Sequence, residues 1–167
     1  MCPEFSLSVQ YAAELPEIPR WRVRRWVAHA LEGAFDARAR TGLPQAPGRA
    51  VALTLRWVDE AEGHELNQSY RDRDYATNVL TFEYGADPEG WIHSDIVLCV
   101  PVLRREAAEQ HKTLRQHAAH LVTHGILHAL GYDHIKADEA AVMEALETDI
   151  LAKQRIPDPY QNPSSRN

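Results

Sequence analysis

Apolar and polar residues change rhythm several times along this 167-residue chain, and each change marks an element. Ser6 to Tyr11 alternates, which predicts a first strand. Pro16 and Pro19 place a connector after it. From Trp21 to Arg40, apolar residues at Trp26, Val27, Ala30, Leu31 and Ala34 recur at helical spacing, with arginines on the other side. Thr41 to Gly48 is rich in glycine and proline and reads as a loop. Ala50 to Val58 is the clearest strand, with Val51, Leu53, Leu55 and Trp57 on one face. Asp59, followed by Glu62, opens a helix that runs through Leu66 to Tyr70. After the charged turn Arg71-Asp72-Arg73-Asp74, Asn78 to Tyr84 returns to strand character. Gly85 to Gly90 is a turn. Trp91-Ile92 and then Asp95 to Val100 form another strand, apolar through its centre and so interior to a sheet.

Pro101 suits the first turn of a helix over Val102 to Lys112. Thr113 and Gln116 offer a capping box for the next one. Asp138 is expected to cap a last helix, Glu139 to Lys153, with Val142, Leu146, Ile150 and Leu151 inward. The order β-α-β-α-β-β-α-α-α predicts an α+β fold, a small mixed sheet of about four strands packed with about five helices. No linker or repeat interrupts it. Residues 1–155 therefore read as one domain, and 156–167, with Pro157, Pro159 and Pro163, as a flexible C-terminal tail.

Composition narrows the class. Hydrophobic residues at 44% and charged residues at 25% are ordinary for a globular domain. No apolar run approaches the roughly 18 residues of a membrane span, and the N-terminus lacks the features of a signal peptide, so no membrane is expected. Cys2 and Cys99 cannot build a disulfide framework and read as reduced thiols of a cytoplasmic protein. A net charge of −6 argues against gripping nucleic acid over the whole surface, though it leaves room for a local basic groove. The basic clusters are Arg20, Arg22, Arg24 and Arg25, then Arg71 and Arg73, then Arg104, Arg105, Lys112 and Arg115. Taken singly, each reads as a solvated helix face.

The chemistry concentrates in His124-Gly125-Ile126-Leu127-His128-Ala129-Leu130-Gly131-Tyr132-Asp133-His134. One helical turn separates His124 from His128, so both imidazoles leave the same face and can close on one ion. Gly131 supplies the left-handed residue that ends a helix, after which the chain can double back and bring in His134. Three neutral imidazoles leave a fourth position open, as in a catalytic zinc site. The spacing is that of a metzincin-like zinc helix, but Gly125 stands where those proteases carry their general-base glutamate. Asp133 reads as a turn cap or as a carboxylate orienting a ligand. Tyr132 reads as packing or as a stacking surface for a base. His117 and His120 share a face with His124 and read as surface residues, His120 being the one to check as a fourth contact.

Together with the middle of the chain, this block resembles the YbeY family, bacterial ribosomal RNA maturation factors that are zinc-dependent endoribonucleases. The matching features are the histidine block, Leu66-Asn67-x-x-Tyr70-Arg71, Thr77-Asn78-Val79-Leu80-x-Phe82, Asp95-Ile96-Val97 and Met143-Glu144-x-Leu146-Glu147. The resemblance implies one zinc per chain held by His124, His128 and His134, and a functional arginine at Arg71. It also implies cytoplasmic work on the ends of ribosomal RNA, especially of the small subunit, and in ribosome quality control. The implied partners are single-stranded RNA, ribosomal RNA and ribosomal proteins, with no DNA. Ser94 departs from the family's usual glycine, and Thr81 and Glu83 from its usual serine and proline.

On this reading His124 and Arg71 are the catalytic residues. Arg71 holds the phosphodiester through its two-pronged guanidinium, and Asn78 lines the cleft or closes the turn before a strand. Three rival readings share the histidines: a zinc peptidase of atypical mechanism, a non-catalytic ribosome-assembly factor with a structural metal, and a small-molecule hydrolase.

Overall fold

Burial alternates along Ala50–Val58, and that strand lies inside the sheet with a partner on each side. The structure is a computed structural model that describes residues 3–41, 50–132 and 136–161. Its elements are β1 (Glu4–Tyr11), α1 (Arg20–Thr41), β2 (Ala50–Val58), α2 (Glu60–Arg71), β3 (Val79–Ala86), β4 (Trp91–Cys99), α3 (Val100–Glu109), α4 (Leu114–Ala129) and α5 (Ala137–Ala152). Among the described residues the strands form one mixed sheet in the order β1-β2-β4-β3. β1 and β4 pair with β2 in parallel, and β3 pairs with β4 antiparallel. The fold is α+β, as the element order predicts.

Strand alternation divides the sheet into two faces. Leu7, Leu53 and Ser94 lie in register, as do Val9, Leu55 and Ile96, and Tyr11, Trp57 and Leu98. That face meets α1 and α4, with α5 packed on those two helices, in the main core, where Val27, Leu31, Val122, Ile126 and Leu151 are fully buried. The other face carries a smaller cluster of Val58, Leu80, Val97, Cys99 and Val102, joined by Leu66 of α2. Cys99 is a buried free thiol. Burial is also the main cause that raises its pKa.

The caps explain where the helices start and stop. Asp59 accepts from the Glu62 amide at the start of α2, and Thr113 and Gln116 close the full reciprocal box at the start of α4. α3 ends at Glu109, short of the expected Lys112, because His111 takes a left-handed φ of 55°. α5 differs from expectation at its start. It begins at Ala137 with Lys136 in the cap position, so Asp138 caps nothing and lies in the first turn with Glu139, where acidic groups suit the helix dipole. Val142 is 54% exposed, and Met143 takes the inward position beside Leu146. The expected loop at 41–48 lies almost wholly outside the described residues. No helix among those described is long and apolar enough to cross a membrane.

Candidate metal centre

α4 brings His124 and His128 to the rim of the core. Their side of the helix opens to solvent, while Gly125 on another side faces β4. A Cβ at position 125 would come within 3.0 Å of Ile96 Cγ2, so α4 lies close against the sheet there and a larger residue would have to push the Ile96 side chain aside by a few tenths of an ångström. The protease's glutamate position is thus turned into the helix–sheet contact. At the far end, Gly131 has a φ of +93° and the Tyr132 amide donates back to Leu127 O, so the helix ends in the glycine turn its sequence announces. Arg38 of α1 grips this turn. It donates to Leu130 O and lies over the Tyr132 ring at 5.0 Å, while the Tyr132 hydroxyl donates to Ala34 O. Tyr132 is therefore a packing residue against α1.

The two imidazoles converge. Their Nε2 atoms stand 3.0 Å apart, with ring centroids at 4.5 Å. Two bare ring nitrogens this close repel unless a proton or a cation lies between them. Both can sit about 2.0–2.1 Å from a single zinc ion. Among the described residues no group of three potential ligands is gathered. The expected third ligand, His134, and its neighbour Asp133 lie outside the described residues.

Glu147 of α5 fixes the orientation of His124. It is wholly buried, and its Oε1 lies 2.7 Å from His124 Nδ1. An ionised carboxylate only accepts, so Nδ1 carries the proton and Nε2 is the ring nitrogen that faces His128. The other carboxylate oxygen, Oε2, takes a hydrogen bond from His120 Nε2 at 3.1 Å and another from the Tyr160 hydroxyl. Burial pushes this carboxyl's pKa up, but hydrogen bonds from His120, His124 and Tyr160 outweigh it and hold the pKa at about 2. His120 therefore spends its Nε2 on Glu147, and His117 is buried rather than on the surface. His117 Nε2 lies 2.9 Å from Glu106 Oε1.

Arg71 and Asn78 have contacts of their own. Asn67 donates to Tyr75 O and shapes the turn after α2, and Arg71 at the helix end reaches across to edge strand β3. It donates to Thr81 O at 2.8 Å and lies over the Phe82 ring at 5.6 Å, and neither contact goes to His124 or His128. The neighbouring Asp74 pairs instead with His64. Asn78 is committed at both ends of its amide: Oδ1 accepts from Val79 N, and Nδ2 donates to Glu106 at 3.1 Å. It braces the start of β3 against α3. Ser94 fits its buried place by donating to Phe82 O on the paired strand.

The sequence reading gives no role to Glu106 or Tyr160, and quotes Glu147 only within the Met143–Glu147 block without a role of its own. Glu147 and Glu106 do carry a signal, since each is an acid on an inward helical stripe, Glu147 between Met143 and Ile150 and Glu106 beside Val102 and Leu103. Tyr160 carries none. It belongs to the stretch expected to be a loose tail, yet its ring stands edge-on to His120 at 5.3 Å.

The family profile described as Endoribonuclease YbeY matches residues 9–155 of the chain. Over 160 residues the chain is 59% identical to the Endoribonuclease YbeY of Bordetella pertussis, covering 96% of this chain and 98% of the relative. The corresponding protein of Bordetella petrii is 64% identical over 160 residues, covering 96% and 99%. A Thermotoga maritima protein solved in solution superposes with a TM-score of 0.54 at 23% identity, covering 96% of this chain and 99% of that one, a likeness of fold.

Proposed function

Because the chain belongs to the endoribonuclease YbeY family, and so to the hydrolytic nucleases, we propose that it is a zinc-dependent endoribonuclease of single-stranded RNA. Its work is the maturation of ribosomal RNA ends, chiefly of the small subunit, and ribosome quality control, in company with ribosomal proteins. The observation that carries the metal reading is the 3.0 Å convergence of His124 and His128 through their Nε2 atoms, with His124 turned by a buried carboxylate. An all-imidazole donor set suits zinc.

His124, His128 and His134 are the proposed holders of the ion. A zinc held there supplies Lewis-acid chemistry and water acidified to a pKa of about 7. The chain's own part is positional. Glu147 keeps the His124 proton on Nδ1. Arg71, exposed on the β3 edge with one guanidinium nitrogen on Thr81 O, offers its remaining donors to a phosphodiester. A peptidase reading finds less support, because the base position is closed by Ile96 and Glu147 is buried away from any substrate.

The test is elemental analysis joined to an RNA assay. Purified protein should carry about one zinc per chain, and His128→Ala close to none. Cleavage of single-stranded RNA should stop on chelation and return with zinc. Undiminished cleavage by metal-free protein would overturn the reading.

A further inference from the structure

Beyond α5 the chain turns back on itself. Arg155 has a φ of 61°, the Ile156 amide donates to Leu151 O, and Ile156 packs on the main core. Lys112 at the start of α4 donates its ammonium to Pro159 O at 2.7 Å, and the Tyr160 amide donates to Asp158 Oδ1 at 2.9 Å. These contacts deliver the Tyr160 hydroxyl to Glu147 Oε2, with His120 Nε2 3.3 Å away. The family profile ends at residue 155, five residues before this tyrosine.

The two oxygens of Glu147 have separate duties. Oε1 holds His124, while Oε2 is held by His120 and Tyr160. A carboxylate with no exposed surface has no water to replace a missing donor. Its plane is thus set by the donors on Oε2, and that plane sets the direction in which Oε1 meets the imidazole. We infer that Tyr160 is a positioning residue of the metal centre, acting through Glu147 on the orientation of His124. The C-terminal segment is then part of the site. This inference rests on the zinc reading above.

The test compares Tyr160→Phe, Glu147→Gln and the double variant, using zinc affinity by competition with a chromogenic chelator and the visible spectrum of the cobalt(II) form. Tyr160→Phe keeps the ring on His120 and removes only the hydroxyl. It should weaken zinc binding by roughly 3–10-fold and shift the cobalt bands, less than the roughly 10–100-fold expected of Glu147→Gln, which touches the ligand itself. Added to Glu147→Gln, it should cost nothing more, since the path already runs through a lost group.

Wild-type affinity and spectrum in Tyr160→Phe would overturn the inference, and so would an equal loss on both backgrounds. A lower melting temperature of the metal-free variant with unchanged zinc affinity would also overturn it, leaving Tyr160 only a tail anchor. Should wild type itself bind no zinc, the metal reading falls first and takes this inference with it. If Glu147→Gln does not fold, the single Tyr160→Phe comparison still decides.

Discussion

At the scale of single residues, most of the candidate site's character follows from which atoms are already engaged. Arg71 uses one nitrogen on Thr81 O and keeps an exposed guanidinium. Arg71→Glu should therefore lower RNA cleavage by roughly 10–100-fold, the worth of one charge-assisted hydrogen bond, with zinc content unchanged. Loss of zinc along with activity would show that the arginine serves the metal centre instead. Gly125 is engaged by its lack of a side chain. Gly125→Glu, which writes the protease sequence into the helix, should drive Cβ into Ile96. The expected loss is about 1–3 kcal/mol from overpacking, read from urea denaturation, and no casein cleavage should appear.

At the scale of elements, α4 is the one whose ends matter most, because a shift along its axis would carry both histidines with it. Its start is pinned by the Thr113–Gln116 box and its finish by Gly131 with Arg38 laid over Tyr132. Thr113→Ala removes one half of the box and leaves the Gln116 amide without its acceptor. Stability should fall by about 1 kcal/mol. A denaturation midpoint equal to wild type would mean that packing alone holds the helix start. The capping box and the terminating glycine are both legible in sequence, since each involves residues at most a turn apart. Lys136 as the cap of α5 is not, because neither its side chain nor any short-range pattern marks it.

Across the whole molecule, a partly buried polar cluster joins three elements that hydrophobic contact alone would hold less specifically. Glu106 of α3 binds Asn78 before β3 and His117 of α4. Burial raises its carboxyl pKa, but the hydrogen bonds from His117 and Asn78 lower it further, for a net fall below the ordinary 4.5. A carboxyl whose folded pKa lies below its unfolded value adds stability above that unfolded value, and the gain is lost as pH falls through the folded one. Wild type should therefore lose stability as pH drops below 4.5, and Glu106→Gln should show a shallower acid limb in urea midpoints. Parallel acid limbs would mean the pair contributes no pH-linked stability.

The amino-acid order by itself determined the sequence of elements, the inward face of β2, the interior place of β4 in the sheet, and the stop at Gly131. It also determined that His124 and His128 leave α4 together. All of these are local, because strand and helix periods couple residues no more than four apart. Only the tertiary structure decided the partners of those groups. Glu147 reaches His124 across 23 residues and Tyr160 reaches His120 across 40, while Glu106 takes up Asn78. Such pairings depend on how helices cross and how the chain returns after α5. No period in the sequence records that, because burial of the surrounding apolar residues fixes those positions and the polar groups find their partners within them.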